Sequence, residues 1–581
     1  MAAPSLSNAE IAGRFELLGD LLELEGAVVY RVLAYRRAAK TLRETPESVA
    51  RLSEQGKLVE LPNIGVTIND KVTELLATGS IAALDKVIAR NPPGAVAVMH
   101  VPGIGPKTAR KIFSELQIST VEDAVQAARD GRIRDLPGMG EKTEKLLIEG
   151  LADGAPQRGR ARVSVARLRP FAERVVDSLA RVDGVEACEI AGSLRRYAET
   201  AKDIDIVCAA RNPGEVIDAF TASDWVTEVD GQGEAKATCI AHDGTRVELR
   251  IVDPECFGNL LAHLTGSKAH NVALRESAVR RKLSISEYGI TDTNTGEVTR
   301  SAGEEGVYAR LGLPLIPPEL RENRGEIEAA RAGTLPDLIR LDQIRGDLHS
   351  HTDWTDGKAT LEEMVEAARA RGYSYLNITD HSPAVGFGMG LDADRLRAQI
   401  ERVRALDAAQ TDGFRVLVGT EVDILKDGSL DYPDELLAEL DVVVASPHAS
   451  HRLSADGQTK RICAAVENPH VDIIGHPTAR KIGLREGYPL DIEAVIAAAA
   501  ANGTVLEVNA QPDRLDLRDT SIRLAVEAGV KLSIDTDAHS IAALDYMRFG
   551  VMNARRGWAT ADDVVNTREW PELRKLLRKG G

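Results

Sequence analysis

The sequence predicts a multidomain protein of the α+β and α/β classes, with a helical N-terminal region, a mixed middle and a C-terminal α/β barrel. Three observations carry this expectation. Three Pro-Gly turns of one internal spacing recur between residues 61 and 150. Alternating strands further on hold Asp203, Asp205 and Glu248. From residue 344 onward, short apolar runs end again and again in His, Asp or Glu. At 581 residues the chain is too long for a single core.

The turns come first. LPNIGVTINDKVTELL (61–76), VPGIGPKTARKIF (101–113) and LPGMGEKTEKLLIEG (136–150) each read apolar-Pro-Gly-apolar-Gly and then a Lys-bearing helix. Paired glycines permit a tight turn, and the helix start that follows presents free backbone N–H groups to an anion. Gly65, Gly103, Gly105, Gly138 and Gly140 are the candidate backbone contacts, with Lys107, Lys111, Lys142 and Lys145 as added point charges. Asn63 replaces the first glycine in the first copy. Asn tolerates the left-handed region, so this copy is expected to form too.

The middle carries a carboxylate site. In AGSLRRYAETAKDIDIVCAA (191–210), Asp203 and Asp205 fall two apart on a strand and so share one face. Gly192 and Ser193 precede a short helix start, a phosphate-sized niche with Arg195 and Arg196 beside it. Glu248 lies on a second alternating strand, TRVELRIV (245–252). Three acids on adjacent strands suit two Mg²⁺ ions and in-line phosphoryl transfer.

The tail gives the barrel. Strand-like runs lie near 344–348, 374–379, 415–420, 441–446, 471–475, 503–509 and 530–535, with amphipathic helices at 361–372, 394–406 and 491–503 between them. Strand–helix alternation argues a parallel sheet, and functional residues at the C-terminal strand ends argue a barrel. Those residues are His349, His351, Asp356, His381, Glu421, His448, His476, Asp537 and His539. Imidazole and carboxylate are ligands for Zn²⁺, Mn²⁺ or Fe²⁺, so a multinuclear centre for metal-activated hydrolysis is expected.

Composition sets limits. No apolar stretch reaches the ~18 residues of a membrane helix, and MAAPSLSNAE does not read as a signal peptide, so a cytoplasmic protein is expected. Five cysteines without CxxC spacing read as reduced thiols. The net charge is −17, and residues 346–581 hold 27 Lys and Arg against 38 Asp and Glu. Bulk electrostatics therefore cannot hold nucleic acid; local phosphate contacts must. One basic stretch, 151–170, has five Arg and one Asp and reads as a linker and a helix start.

The order and spacing of the barrel ligands resemble the PHP (polymerase and histidinol phosphatase) family. That resemblance implies a distorted (β/α)7 barrel with three divalent metals, Zn²⁺ or Mn²⁺, hydrolysing phosphoesters. The turns resemble helix-hairpin-helix motifs, which grip a DNA backbone without reading sequence. Residues 1–330 resemble a family X DNA polymerase, through the hairpins, GSLRR…DID, HLTGSKAHNVALR (263–275) and SEYG (286–289). The whole chain resembles the bacterial version with a C-terminal PHP domain.

By that resemblance, Gly192, Ser193 and Arg196 would hold a deoxynucleoside triphosphate. Asp203, Asp205 and Glu248 would bind Mg²⁺ or Mn²⁺. Thr265, Gly266 and Ser267 would line the sugar site, with Asn271 and Arg275 toward the nascent pair. Lys71 falls where animal repair members place a Schiff-base lysine. The expected domains are a lyase-like helical region (1–90), fingers (91–155), a nucleotidyltransferase-like palm (156–258), thumb (259–320), linker (321–343) and PHP domain (344–581).

Three departures lie in the palm and thumb: Glu248 where the family pattern has Asp, Lys202 for a Gly, and His263-Leu264 for an aromatic pair. Two functions therefore compete. One is a monomeric repair enzyme that fills gaps in gapped or nicked DNA and trims 3′ ends or cuts abasic sites in the barrel. The alternative is a PHP nuclease or phosphoesterase whose polymerase-like part is a DNA-binding scaffold. A small-molecule phosphatase would leave the first 330 residues unexplained.

Overall fold

The computed structural model describes residues 6–101, 103–152, 162–385 and 390–577. The basic stretch is therefore described only from Arg162 onward. The chain divides into two compact units, residues 1–161 with 212–249, and residues 162–211 with 250–581.

The first unit is mostly helical. Helix Asn8–Glu25 starts at a capping box between Ser7 and Glu10 and stops at left-handed Gly26. Its apolar face (Ile11, Phe15, Leu18, Leu22) packs with Val32, Tyr35, Ala39 and Leu42 of helix Val29–Glu44. One apolar cluster then runs from Ile11 through Ile112 to Leu147, taking in all three hairpins.

The hairpins share one backbone. Asn63, Gly103 and Gly138 stand at φ +65°, +92° and +82°. In each, the next residue's N–H closes the turn: Ile64 to Leu61 O (3.2 Å), Ile104 to Val101 O (2.9 Å) and Met139 to Leu136 O (3.0 Å). Helices Val66–Thr78, Pro106–Leu116 and Glu141–Ala152 follow at once. Asn63 thus takes the left-handed conformation expected of it, which only Gly, Asn and Asp visit at little cost.

In the second unit, strands Val185–Ile190 and Asp203–Ala210 pair antiparallel, with Ile190 opposite Ile206. Helices Phe257–Thr265 and Lys268–Arg280 follow, then a small antiparallel sheet, Leu283–Ser286 beside Gly289–Asp292 and Val298–Thr299. The segment read as a linker is packed. Leu320, Ile327, Ala330 and Leu338 join one cluster with Tyr308 and Trp558. Within it Arg321 is fully buried, its Nη1 2.5 Å from Glu304 and its guanidinium 5.0 Å from the Tyr308 ring centre.

The barrel has all seven expected strands, paired parallel in chain order: β1 (Gly346–Asp347), β2 (Tyr375–Ile378), β3 (Arg415–Asp423), β4 (Val442–Ser446), β5 (Ile473–Ile474), β6 (Val505–Asn509) and β7 (Leu532–Asp535). The segments after β1 and β7 meet: His351 N donates to Ala538 O (2.8 Å) and Thr536 N to Asp347 Oδ1 (3.1 Å). Leu348, Tyr375, Leu417, Val442, Val444, Ile473 and Val505 fill the lower interior with Trp570 and Leu573 of helix Trp570–Leu576. One end is thereby plugged, and the polar residues lie at the C-terminal strand ends. No helix among the described residues is long and apolar enough to cross a membrane. All five cysteines are free thiols.

Candidate metal centre and nucleotide site

The nine residues picked from the barrel sequence converge. Glu421, fully buried on β3, lies at the middle. Its carboxylate oxygens sit 2.9 Å from His381 Nδ1, 3.0 Å from His476 Nε2, 3.1 Å from His448 Nε2, 3.4 Å from His349 Nε2 and 3.6 Å from His351 Nε2. Asp537 Oδ1 joins His351 Nε2 at 3.2 Å and His539 Nδ1 at 3.5 Å. Asp356 joins His539 Nε2 at 3.2 Å and His381 Nε2 at 3.5 Å. These atoms form three overlapping ligand groups: His351, Asp356, His381 and His539; His349, His351 and Glu421; His381, Glu421 and His448.

The donor set fits divalent cations. His349 Nε2, both ring nitrogens of His351, Glu421 Oε2, Asp356 Oδ1 and His381 Nδ1 are buried without a hydrogen-bond partner. Buried polar atoms are nearly always partnered, so this many orphans aimed at one point marks a coordination site. Two ligands also sit on left-handed backbone, His476 at φ +23° and Asp537 at +51°, strain that clusters where function fixes geometry.

Without metal the ligands divide. Burial, with His539 and His381 nearby, pushes His351 down to about 3; burial and Arg514 do the same for His476. Burial alone would lower His349, His381, His448 and His539 too, but the carboxylates beside them outweigh it and raise all four, His381 to about 10 and His448 to about 9. Burial alone would raise Glu421, but His448, His349 and His381 hold its carboxyl well below the usual range. A metal takes neutral imidazole and ionised carboxylate, so binding here would release the protons that those four histidines hold.

Sequence reading missed the residues behind the ligands. Glu507 on β6 lies 2.6 Å from His349 Nδ1 and also accepts from the His476 backbone N–H. Asp423 Oδ2 is 3.3 Å from His448 Nδ1. Asn509 Nδ2 donates to Asp537 Oδ2 (3.1 Å) and Gln511 Nε2 to the Asp537 carbonyl (2.7 Å). The signal was present in VLEVNAQ, where Glu507 and Asn509 alternate toward the barrel interior. Such partners fix the tautomer and aim of a ligand. Above the centre opens a cavity of 510 Å³ whose lining includes Lys481, Arg485 and Arg514, with Asp513 3.0 Å from Lys481 Nζ.

In the palm, Asp203 and Asp205 lie on strand Asp203–Ala210, two residues apart and both half-buried. Ala191 N donates to Asp205 O (2.7 Å), and Gly192 turns at φ +63°. A Cβ on Gly192 would run into Asp205 Oδ2, so glycine is required there. Ser193 belongs to the same short turn, Gly192–Arg195. Arg195 Nη1 donates to Thr265 Oγ1 (2.8 Å), with Glu304 also 2.8 Å from its Nη2. Arg196 binds Glu322 (3.0 Å) and the Thr265 carbonyl (2.7 Å).

A Cβ on Gly266 would meet Asn271 Oδ1, and Ser267 caps helix Lys268–Arg280. Asn271 Nδ2 donates to His263 O (2.7 Å), and Arg275 Nη2 lies 3.4 Å from His263 Nδ1. Lys202 is exposed beside Asp203. Glu248 lies on strand Arg246–Val252, which straddles the boundary of the two units; its Oε1 accepts from Arg246 Nε (2.9 Å). In the first unit, Lys107 and Lys142 are exposed, Lys71 is half-buried on helix Val66–Thr78, and Lys111 Nζ is committed to Pro137 O (2.6 Å). A Cβ on Gly65, Gly105 or Gly140 would meet nothing, so the approach to each helix start is open.

Family models match four stretches: a helix-hairpin-helix domain over residues 6–81, a SAM-like helix-hairpin-helix tandem over 96–153, a DNA polymerase beta thumb over 260–322 and a PHP domain over 347–510. The chain is 38% identical over 572 residues to the DNA polymerase/3′-5′ exonuclease PolX of Bacillus subtilis (strain 168), covering 98% of this chain and 99% of that one. Over 236 residues, 38% of this chain, it is 32% identical to a probable phosphatase of Thermoanaerobacter sp. (strain X514), covering 89% of that relative.

Proposed function

Because the chain belongs to the family X DNA polymerases that carry a C-terminal PHP domain, we propose that it is a two-activity DNA repair enzyme. It fills gaps from deoxynucleoside triphosphates at the palm and removes nucleotides 3′→5′, or cuts at abasic sites, in the barrel. It works in the cytoplasm as a monomer on gapped or nicked DNA. The observation that carries the reading is the convergence of five histidines on Glu421, with Asp356, Asp537 and His539 joined to the same cluster, beneath a cavity whose lining includes Lys481, Arg485 and Arg514.

His349, His351, Asp356, His381, Glu421, His448, His476, Asp537 and His539 would hold three divalent metals, Zn²⁺ or Mn²⁺, whose Lewis acidity would activate water and offset charge on the phosphate. Glu507, Asp423 and Asn509 hold the imidazoles and Asp537 in the coordinating orientation. Arg514, whose guanidinium lies 3.7 Å from Asp537, lines the cavity and would contact a phosphate bound there. Lys481 and Arg485 draw the neighbouring phosphates of a polynucleotide into the cavity.

At the palm, Asp203 and Asp205 with Glu248 would hold Mg²⁺ or Mn²⁺. Gly192, Ser193 and Arg196 would take the triphosphate, and Thr265, Gly266, Ser267, Asn271 and Arg275 the nucleoside and nascent pair. The hairpins at Gly65, Gly103–Gly105 and Gly138–Gly140, with Lys107 and Lys142, grip the DNA backbone. Lys71 serves as the 5′-phosphate lyase nucleophile.

The test separates the two activities in the full chain. With His349→Ala and His351→Ala together, 3′→5′ degradation should vanish while extension on a one-nucleotide gap persists. Asp203→Ala should do the reverse. Degradation at the wild-type rate in the double variant would reject the barrel assignment.

A further inference from the structure

We infer that Glu322 occupies the anion position at Arg196, and that Arg556 of the barrel receives this carboxylate when a nucleotide triphosphate displaces it. The inference rests on the nucleotide-site reading above and adds a competitor and a coupling residue to it.

Arg196, the cation beside the Gly192–Ser193 turn, is not free. Its Nε and Glu322 Oε1 are 3.0 Å apart, with only 12% and 17% of the two side chains exposed. Arg196 Nη1 is held by the Thr265 carbonyl at 2.7 Å, and the carboxylate on Nε makes the contact a phosphate oxygen would make there, so the two anions cannot hold that edge at once. Triphosphate binding at Arg196 must therefore move Glu322. A sheltered carboxylate stripped of its partner is strongly unfavourable, and that would ordinarily close the site.

The barrel removes this obstacle. Arg556, at the end of helix Met547–Arg556, has its Nη1 3.0 Å from the same Glu322 oxygen. Arg556 is itself fixed, donating to the Arg196 carbonyl (2.7 Å) and lying 2.8 Å from Asp519, which also pairs with Arg324 at 2.9 Å. Glu322 thus already touches the cation that can keep it when Arg196 turns to phosphate. Every charge stays paired through the exchange. Arg556 acts through Glu322, so it is a positioning residue.

The sign of one isosteric change decides the matter. Full-length protein is bound to a one-nucleotide gap with a dideoxy-terminated primer, and affinity for the complementary deoxynucleoside triphosphate is measured at equilibrium. Glu322→Gln removes the competitor, and the nucleotide should bind about fivefold tighter, as expected for losing one charge-assisted contact. A residue that merely props Arg196 in place would give weaker binding on the same change. Arg556→Met should weaken binding several-fold, and in the double variant with Glu322→Gln that loss should disappear. DNA affinity and 3′→5′ degradation should not change in Glu322→Gln. Equal or weaker nucleotide binding by Glu322→Gln, with the wild type binding normally, overturns the inference alone. No nucleotide binding by the wild type overturns it together with the nucleotide-site reading. If Arg556→Met proves unstable, Glu322→Gln still fixes the sign.

Discussion

At the residue scale, the metal ligands were legible because each closes an apolar run, where a lone polar side chain stands out. Glu507 was passed over despite its place in VLEVNAQ, because a carboxylate inside an alternating strand reads as a solvent-facing residue until closure of the barrel turns that face inward. Its role is testable. Glu507→Gln keeps the shape but weakens the hold on His349 Nδ1, and loss of such a partner typically costs ~10–100-fold in metal affinity or activity. Metal content after dialysis against a graded chelator should fall while the far-ultraviolet circular dichroism stays that of the wild type; undiminished metal retention would reduce Glu507 to a packing residue. Glu248 poses the opposite problem. Its identity was plain in the sequence, but not that Arg246 holds its carboxylate at 2.9 Å. A side chain one methylene too long, tethered by Arg246, suits poorly the near-ideal octahedral geometry that Mg²⁺ demands. Glu248→Asp should speed single-turnover extension about tenfold, worth ~1.4 kcal/mol in the barrier. Mn²⁺ should narrow the gap between the two proteins. Fast extension by the wild type in Mg²⁺, with no gain from Asp, would mean that the palm is built around Glu.

At the element scale, local chemistry specified most of the fold. The helices expected at 361–372, 394–406 and 491–503 form as Leu361–Ala370, Ala393–Ala408 and Ile492–Asn502. Their starts follow from Thr360, Asp392 and Asp491, whose side chains accept from the first turn. What could not be read was packing between distant segments: nothing in residues 321–343 announces that Arg321 would be buried against Glu304 and Tyr308. The hairpins illustrate how glycines of one motif differ in duty. Gly103 needs its left-handed φ of +92°, so a side chain there strains the turn. Gly105 stands at an ordinary φ of −92°, and a Cβ on it meets nothing. Its smallness serves whatever approaches the helix start. Gly105 is also the N-cap of helix Pro106–Leu116, where Val is a poorer cap, so Gly105→Val should cost about 1 kcal/mol and no more. It should weaken gapped-DNA binding several-fold and flatten the salt dependence, because fewer phosphates are contacted. Gly103→Val should lower stability and binding together. Unaltered DNA affinity of Gly105→Val across a salt series would remove the hairpin from the interface.

At the scale of the whole molecule, the second unit is tied by buried guanidinium–carboxylate pairs where palm, thumb and barrel segments meet. Glu304 is shared by Arg321 and Arg195, and Asp519 by Arg556 and Arg324. Burial alone would raise both carboxyls, but the arginines beside them outweigh it, and both sit below their ordinary values. The sign of the linkage follows. A carboxyl depressed in the folded state binds fewer protons there than in the unfolded chain, so its stabilisation is complete above the unfolded value near pH 4 and is lost as pH falls through the folded value. Denaturant melts of the full chain should accordingly be flat with respect to these groups from pH 7 to about pH 5 and should shift to lower midpoints below pH 4. Glu304→Gln should flatten that acid limb, because the group no longer titrates, while lowering stability at pH 7. Arg321→Met should do more damage than Glu304→Gln at neutral pH, on the order of 3–5 kcal/mol, because it leaves an ionised carboxylate buried with only Arg195 to answer it. The two changes together should cost less than Arg321→Met alone, since the stranded charge is gone. An additive double variant, or an acid limb unchanged in Glu304→Gln, would show that the pair is not what fixes the C-terminal end of the thumb to helix Glu304–Arg310.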